Sequence, residues 1–342
     1  MTKSMTRRDL VKTAGLGFAS VVRLGAQAPD MIPTWKRELR QLAPNVYVYM
    51  LGGGPGLLAR GISNAGLIVA DDHLMALDST GAPLHVKGFQ AAVQQAVPNK
   101  PFRRLILTHH HGDHIWGLPF FPKMEVISHE YCRKAMLAMD VPAGSVWEKR
   151  DGFADGGEPR RIIPPTTTIR EKTTYYVGDM RLEVIPMVPA HTFGDLMIYL
   201  PQQKILFAGD VGFFWVAPFL NNGVATKWIE ACDKILDMDV DVIVPGHGPM
   251  GTKKDLLATR EYLRYMKGEA RLRYNAGMSV GRACADIKLG KYASWIGADD
   301  RMAMNLVRLY AEFDGTLTPD FDAAGEARAA EEYAAVRKAL GR

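Results

Sequence analysis

The chain has 342 residues, of which 47% are hydrophobic and 23% charged. These fractions are close to those of globular proteins and exclude a disordered or collagen-like chain. The sequence has no uninterrupted apolar run of about 20 residues, the length that a membrane-spanning helix needs, so we expect no stable membrane anchor. Without residues 1–28, 37 basic and 36 acidic residues remain. That balance lacks the basic surface of a nucleic-acid-binding protein, so no nucleic-acid partner is expected.

Residues 1–28 have the features of a twin-arginine export signal. Adjacent arginines precede a weakly apolar run over residues 14–22, and small residues up to Ala28 provide a cleavage site. Such signals send folded proteins across a bacterial inner membrane through the twin-arginine machinery. We therefore predict a periplasmic protein whose mature chain begins near Pro29. The alternative is a basic N-terminal segment that is never processed, and Arg23, just behind the apolar run, favours it.

Short apolar runs alternate with helical patterns between residues 45 and 249. The runs are rich in Val, Ile, Leu and Tyr and end at Gly, Pro or Asp, which is typical of buried strands. They lie at residues 46–49, 66–70, 74–77, 105–107, 125–127, 182–188, 196–200, 205–207 and 242–244. Segments with helical spacing lie between them, at residues 83–97, 130–139 and 226–238. This alternation predicts an α/β protein whose sheets are covered by helices.

The strand pattern ends near residue 251, and the rest of the chain is rich in Ala, Leu, Arg and Glu. Helices are predicted there at residues 254–267, 279–286, 300–313 and 325–340. We therefore predict a main domain over residues 29–250 and a helical C-terminal extension over residues 251–342 that packs on it. A polar segment rich in Gly and Pro, residues 150–165, predicts a long surface loop.

Five of the predicted strands lead directly to a residue that can bind a metal or support its ligands. These residues are Asp78, His109, His191, Asp210 and His247. Side chains that leave the same edge of a sheet converge on one place. Five such endings are difficult to explain by packing alone, so they predict a site at the sheet edge.

The segment from Thr108 to His114 contains the densest group of candidate ligands. A tight turn would divide them into two sets, with His109 and His111 on one metal and Asp113 and His114 on a second. Neutral imidazole and carboxylate favour Zn²⁺, with Fe and Mn as alternatives. A solvated polar loop is the other interpretation, but it leaves the remaining strand endings unexplained.

The order His-x-His-x-Asp-His, then a lone His, a lone Asp and a lone His after successive strands, resembles the metallo-β-lactamase superfamily. The resemblance covers residues 45–249 with all five signature motifs in order. It implies an αββα sandwich with two zinc ions per chain at one edge of the facing sheets. It also implies the ligands: His109, His111 and His191 for the first zinc, Asp113, His114 and His247 for the second, and Asp210 as the bridge. Asp78 would orient ligands rather than bind a metal.

The same resemblance implies hydrolysis by a metal-bridging hydroxide, with Asp113 as the catalytic residue that orients the nucleophile and shuttles its proton. An aspartate at position 210 is typical of the glyoxalase II, lactonase and general hydrolase branches, whereas antibiotic-hydrolysing members commonly carry Cys or Ser there. We therefore expect a small-molecule ester, lactone, thioester or amide with an apolar portion as the substrate. An iron-dependent redox enzyme similar to the sulfur dioxygenases, a β-lactamase, and a metal-containing binding protein without turnover are the alternatives.

An aromatic run over residues 213–219 follows Asp210 directly. It is either ordinary core or an apolar wall of the substrate pocket. The sequence contains no feature that indicates an oligomeric state.

Overall fold

The computed structural model describes residues 28–55, 63–152 and 154–341. The export signal predicted for residues 1–28 lies outside these ranges apart from Ala28, so export and the periplasmic location stay predictions. Among the described residues, no helix combines the length and the apolar character required to cross a membrane.

The first sheet has seven strands that lie side by side in chain order. They are β1 Glu38–Ala43, β2 Val46–Met50, β3 Ala65–Val69, β4 Leu74–Leu77, β5 Phe102–Ile106, β6 Glu125–His129 and β7 Thr167–Ile169. Strands β1 to β4 pair antiparallel, whereas β4 to β7 pair parallel. Because β4 and β5 are parallel, their C-terminal ends lie at the same edge of the sheet. Asp78 follows β4, and the histidine motif follows β5, so both lie at this edge.

The second sheet has five strands in the order β12-β11-β10-β9-β8. They are β8 Thr173–Val177, β9 Met180–Pro186, β10 Leu196–Leu200, β11 Ile205–Phe213 and β12 Val242–His247. Only the β11–β12 pair is parallel among these strands. His247 is the last residue of β12, so this sheet also delivers a candidate ligand at a strand end.

Helices cover both outer faces. In chain order they are α1 Pro83–Ala96, α2 Gly112–Ile115, α3 Glu130–Leu137, α4 Ala225–Asp237, α5 Lys253–Asn275, α6 Val280–Asp286, α7 Met302–Asp314 and α8 Ala323–Ala339. The start of α5 is fixed by a reciprocal capping box between Thr252 and Asp255.

Three buried clusters give the molecule its layers. Along β2 the side chains alternate, so that Val46 and Val48 face Ile198 and Phe207 of the second sheet. Tyr49 points the other way and packs on Phe89 of α1, with ring centroids 5.4 Å apart. The αββα sandwich predicted from the sequence is confirmed.

The C-terminal helices cover the outer face of the second sheet. Leu263 of α5 and Leu306 and Leu309 of α7 belong to the same buried cluster as Leu206 of β11. The predicted helical extension is therefore present, and its apolar residues form a continuous core with the main sheet. The exact domain limits stay a prediction.

Three strands were not predicted, and all three lie at sheet edges. β1, β7 and β8 are composed of half-buried and exposed residues. These three strands pair on one side only and leave much of their surface unpacked, so their hydrophobic pattern is weak. The sequence also placed the end of one strand at Phe207, which was wrong because β11 continues to Phe213 and contains Asp210.

Gly209 explains how Asp210 turns towards the site from within a strand. Its φ of +51° is in the left-handed region, and the register between β11 and β12 shifts on both sides of it. A Cβ atom at this position would lie 2.7 Å from Cβ of Thr108. Glycine therefore adopts this backbone conformation without strain and leaves room for the Thr108 side chain where the two sheets approach each other.

We expect Gly209→Ala to destabilise the metal-free protein by at least about 1–2 kcal/mol, the cost of a left-handed L-residue, with the contact to Thr108 adding to it. The measurement is chemical denaturation. Gly268→Ala in α5 is the matched control, because an added methyl group there meets no atom within 4 Å. That control should be stabilising by up to about 1 kcal/mol. Wild-type stability in Gly209→Ala would contradict the prediction.

Candidate metal centre

Two groups of donor side chains meet where the two sheets share an edge. Within each group, the ligand atoms all lie within 4.8 Å of one another. The first group is His109, His111, His191 and Asp210, and the second is Asp113, His114 and His247. The structure thus brings together every residue to which the sequence assigned a ligand role.

The short helix α2 separates the two groups within one stretch of chain. His111 is the residue before α2, whereas Asp113 and His114 lie inside its single turn. Gly112 starts the helix, and a Cβ there would lie 2.1 Å from the indole nitrogen of Trp116. A side chain at position 112 would therefore require the Trp116 ring to move away from the turn that sends consecutive donors in two directions.

Asp210 contacts both groups. Its Oδ1 lies 3.1 Å from Nε2 of His114. Its Oδ2 lies 3.2 Å from Nε2 of His191, 3.2 Å from Nε2 of His247 and 3.6 Å from Nε2 of His109. A carboxylate in this position can bind two cations at once.

The donor set fits a divalent metal. Two ligand nitrogens bound 2.0–2.1 Å from a tetrahedral zinc lie about 3.3 Å apart, close to the spacings around Asp210. Within the described part of the chain, Nε2 of His109, Nε2 of His114 and Oδ1 of Asp210 are buried and make no hydrogen bond of suitable geometry, although the last two atoms lie 3.1 Å apart. Since buried polar atoms are seldom unpaired, a cation would complete the cluster.

Burial and neighbouring charges act in opposite directions on the histidines. Burial, helped by neighbouring imidazoles, holds the pKa values of His109 and His111 well below the ordinary value, so these rings are neutral at pH 7. Burial also acts to lower the pKa of His247, but Asp210 and Asp113 outweigh it and raise the pKa to about 9. Because a ligand imidazole must be deprotonated, metal binding at the second group releases protons and weakens as the pH falls.

Asp78 supports the ligands without belonging to either group. Its carboxylate accepts hydrogen bonds from the Thr108 backbone N–H at 2.7 Å and from the Thr108 hydroxyl at 2.8 Å. It also lies 2.7 Å from Nδ1 of His114, which directs Nε2 of that ring towards Asp210. The Thr108 hydroxyl lies 3.0 Å from Nδ1 of His109 and can accept its proton. These contacts agree with the orienting role expected for Asp78.

Two further residues fix ligand loops, and the sequence pattern did not indicate them. Asp195 accepts hydrogen bonds from the backbone and the hydroxyl of Thr192, the residue after His191. Asn64 donates to two carbonyl groups on either side of His247, at 2.9 and 2.8 Å. Each is a single polar residue in a loop, where neither periodicity nor spacing distinguishes it.

Part of the aromatic run over residues 213–219 is core, and part of it lies beside the donor groups. Phe213 and Phe214 are core residues, and the Phe213 ring stacks on His247 at 4.7 Å. Phe219 is half-buried, and its ring meets that of His111 edge-on at 6.2 Å. The start of the run is therefore core, whereas Phe219 lies beside a candidate donor of the first group.

The predicted surface loop is attached beside the metal centre. Arg160 lies over the rings of Trp116 and Trp147, 5.0 and 4.9 Å from their centroids. Trp116 directly follows α2, and Trp147 is buried. The contact with Trp116 thus joins the loop to the segment directly after α2.

The sequence matches a known family model and is similar to several known proteins. The family model described as the Metallo-beta-lactamase superfamily matches residues 58–247. The chain is 25% identical over 215 residues to the 2,4-dinitroanisole O-demethylase subunit alpha of Nocardioides sp., covering 60% of this chain and 58% of that protein. It is 23% identical over 262 residues to a linear primary-alkylsulfatase of Pseudomonas sp., covering 65% and 49%. It is 24% identical over 234 residues to a metallo-beta-lactamase type 2 of Bacillus cereus, covering 66% and 82%. The chain thus spans about half the length of the first two relatives.

Solved structures show the same fold. A metallo-beta-lactamase from Pontibacter korlensis aligns with a TM-score of 0.52 at 20% identity, covering 67% of this chain and 99% of that one. A stereoselective inverting sec-alkylsulfatase from Pseudomonas sp. aligns with a TM-score of 0.60 at 18% identity, covering 81% and 50%.

We expect Asp78→Asn to weaken zinc retention about 10–100-fold, because it removes the carboxylate that orients His114. The measurement is zinc content after dialysis against a graded series of chelator concentrations. Asp72→Asn is the matched control, because Asp72 makes a similar contact with Nδ1 of His73, at 2.6 Å, on the surface. Equal zinc retention in the two variants would count against a supporting role for Asp78.

Proposed function

The chain belongs to the metallo-β-lactamase superfamily, and from this premise we propose that it is a hydrolase with two zinc ions per chain. Its proposed substrate is a small-molecule ester, lactone, thioester or amide with an apolar portion. The observation that carries the proposal is the convergence of His and Asp donors on both sides of Asp210. The same donors also suit Fe and Mn.

Bound divalent ions would supply a water activated at neutral pH and a Lewis acid for the substrate oxygen. The residues proposed to hold them are His109, His111 and His191 for one ion, Asp113, His114 and His247 for the other, and Asp210 for both.

Asp113 is the residue proposed to handle the proton. Its side chain is 20% exposed, against 2% for Asp210, so it is the carboxylate on the open side of the centre. Burial acts to raise the pKa of Asp113, but His114 and His247 outweigh it and hold the pKa well below the ordinary value. The ionised carboxylate would accept a hydrogen bond from the attacking water and pass the proton to the leaving group.

Phe219 is the residue proposed to meet the apolar portion of the substrate. Its position beside His111 places a half-buried ring next to the first donor group. Burial of one apolar group against it would contribute about 1.5–3 kcal/mol.

A second candidate substrate is a sulfate ester of an apolar alcohol, and Arg301 favours it. The guanidinium lies 5.3 Å over the ring of Phe219. The guanidinium also lies 5.9 Å over the ring of Phe213, which stacks on His247 of the second donor group. Burial lowers the pKa of Arg301, and the charges of Asp210 and Asp113 are among those that act against this effect. Such a cation can pair with an anionic leaving group. A linear primary-alkylsulfatase is among the relatives.

We expect the zinc-loaded protein to hydrolyse acyl esters, lactones or thioesters with hydrophobic substituents, and His191→Ala to lose one zinc and nearly all activity. His73→Ala, outside both donor groups, is the control. The assay compares esters, lactones, thioesters, β-lactams and alkyl sulfates with each metal. Preferred turnover of alkyl sulfates would favour the second candidate, and oxygen uptake by iron-loaded protein would favour the redox alternative. Full activity without a bound transition metal would refute the proposal.

We expect Phe219→Ala to lower kcat/KM about tenfold to a hundredfold for a hydrophobic ester, mainly through KM, and to affect a short polar ester little. Trp215→Ala is the matched control from the same loop, since its ring packs against Trp295 at 6.3 Å. Equal losses for the two esters in Phe219→Ala would show that the ring is part of the core.

A further inference from the structure

His111 faces the donor groups through Nδ1, whereas the other four candidate ligand histidines face Asp210 through Nε2. Its Nδ1 faces the first donor group, 2.8 Å from Nε2 of His191. Its Nε2 points away and lies 2.9 Å from Oδ1 of Asn222. A neutral imidazole carries one N–H, and an amide oxygen can only accept, so this contact requires the proton on Nε2. The lone pair of Nδ1 is then directed at the metal site.

The amide group of Asn222 is fixed in this orientation by its other end. Its Nδ2 donates to the backbone carbonyl of Pro319 at 2.8 Å. Because a carbonyl oxygen has no proton to donate, the nitrogen must face Pro319 and the oxygen must face His111. Pro319 lies between α7 and α8, outside the residues 58–247 that match the family model.

One face of α7 holds the loop that carries Asn222. This loop comprises residues 214–224 and connects β11 to α4. We define the α7 stripe as Arg301, Asn305, Arg308 and Glu312, whose spacing of four, three and four residues places them on one side of the helix.

The α7 stripe contacts the backbone along the length of the loop. Arg301 donates to the carbonyl of Ala217, and Asn305 accepts from the Leu220 N–H at 2.9 Å. Glu312 accepts from the N–H groups of Ala225 and Thr226 at the start of α4. The loop is therefore held at both ends and in the middle.

Arg308 donates hydrogen bonds to the segment that carries Asn222 and to the segment that carries Pro319. Its Nε donates to the carbonyl of Gly223 at 2.7 Å, and its Nη1 donates to that of Asp320 at 3.2 Å. Gly223 follows Asn222, and Asp320 follows Pro319. The Arg308 side chain is buried, so one guanidinium fixes the distance between the amide and its acceptor.

We propose that Asn222, held by the α7 stripe, is a positioning residue that keeps His111 in the Nε2–H tautomer for metal binding. The inference rests on the proposed metal site and extends it to the C-terminal helices. Asn222 acts through His111 and has no assigned contact with the substrate. Partners of this kind typically change metal affinity by about 10–100-fold when they are removed.

The test compares zinc affinity in Asn222→Ala, Asn222→Asp and Asn221→Ala by competition with a chromophoric chelator. We expect Asn222→Ala to weaken one of the two zinc sites about 10–100-fold and to leave the other unchanged. Asn222→Asp should recover part of the loss, because a carboxylate accepts the same N–H but cannot donate to the Pro319 carbonyl. Asn221→Ala is the matched control, since the Asn221 side-chain oxygen has no hydrogen-bond partner in the described residues.

A spectroscopic readout separates positioning from a general effect on folding. In zinc-loaded protein with ¹⁵N-labelled histidine, the His111 Nε2–H signal should exchange slowly in the wild type and in Asn222→Asp. It should broaden by exchange with water in Asn222→Ala. An unchanged signal, or equal weakening of both zinc sites in Asn222→Ala, would overturn the inference. Absence of zinc binding by the wild type would instead refute the proposed function.

Discussion

Burial of the Asp210 carboxylate is the constraint on which the rest of the site depends. The side chain is only 2% exposed, and a buried ionised carboxylate costs several kcal/mol unless opposite charge lies beside it. Four imidazole nitrogens lie within 3.6 Å of its two oxygens. Positive charge must therefore accompany Asp210, as protons on His114 and His247 or as metal ions. The raised pKa values of those two histidines are the consequence in the metal-free protein.

The two-sheet architecture satisfies this constraint because it delivers side chains to Asp210 from both sides. The first sheet provides the histidine motif, and the second provides His191, His247 and Asp210 itself. A backbone hydrogen bond from the Leu196 N–H to the Thr108 carbonyl, at 2.8 Å, joins the two sheets beside the ligands. Asp78 has a φ of +61°, an uncommon conformation for a residue other than glycine, which the three surrounding hydrogen bonds hold in place. The site is thus pre-formed by backbone geometry rather than by contacts among the ligands alone.

The sequence predicted most of this arrangement because its strongest patterns are local. Buried strands such as β4 and β10 have continuous apolar runs, and their bounds were predicted to the residue. The edge strands β1, β7 and β8 contain half-buried and exposed residues and were missed, whereas β12, also at an edge, is mostly buried and was predicted. The candidate ligands were recognisable because each occupies a fixed position in a motif beside an apolar run. Asn222 was not recognisable, because its contact with His111 spans 111 residues of chain and depends on how α7 packs.

The helices beyond residue 251 therefore do more than cover an apolar face. The 214–224 loop, which α7 holds, carries both Asn222, which contacts a ligand ring, and Phe219, which lies against the same ring. A shift of α7 along its axis would move both side chains together, since the α7 stripe contacts the loop from Ala217 to its end. In this chain the proposed metal ligand and the proposed pocket wall are consequently not independent. A substitution in the helical extension that altered substrate preference would be expected to alter zinc affinity as well, although it lies outside the sequence shared with the family model.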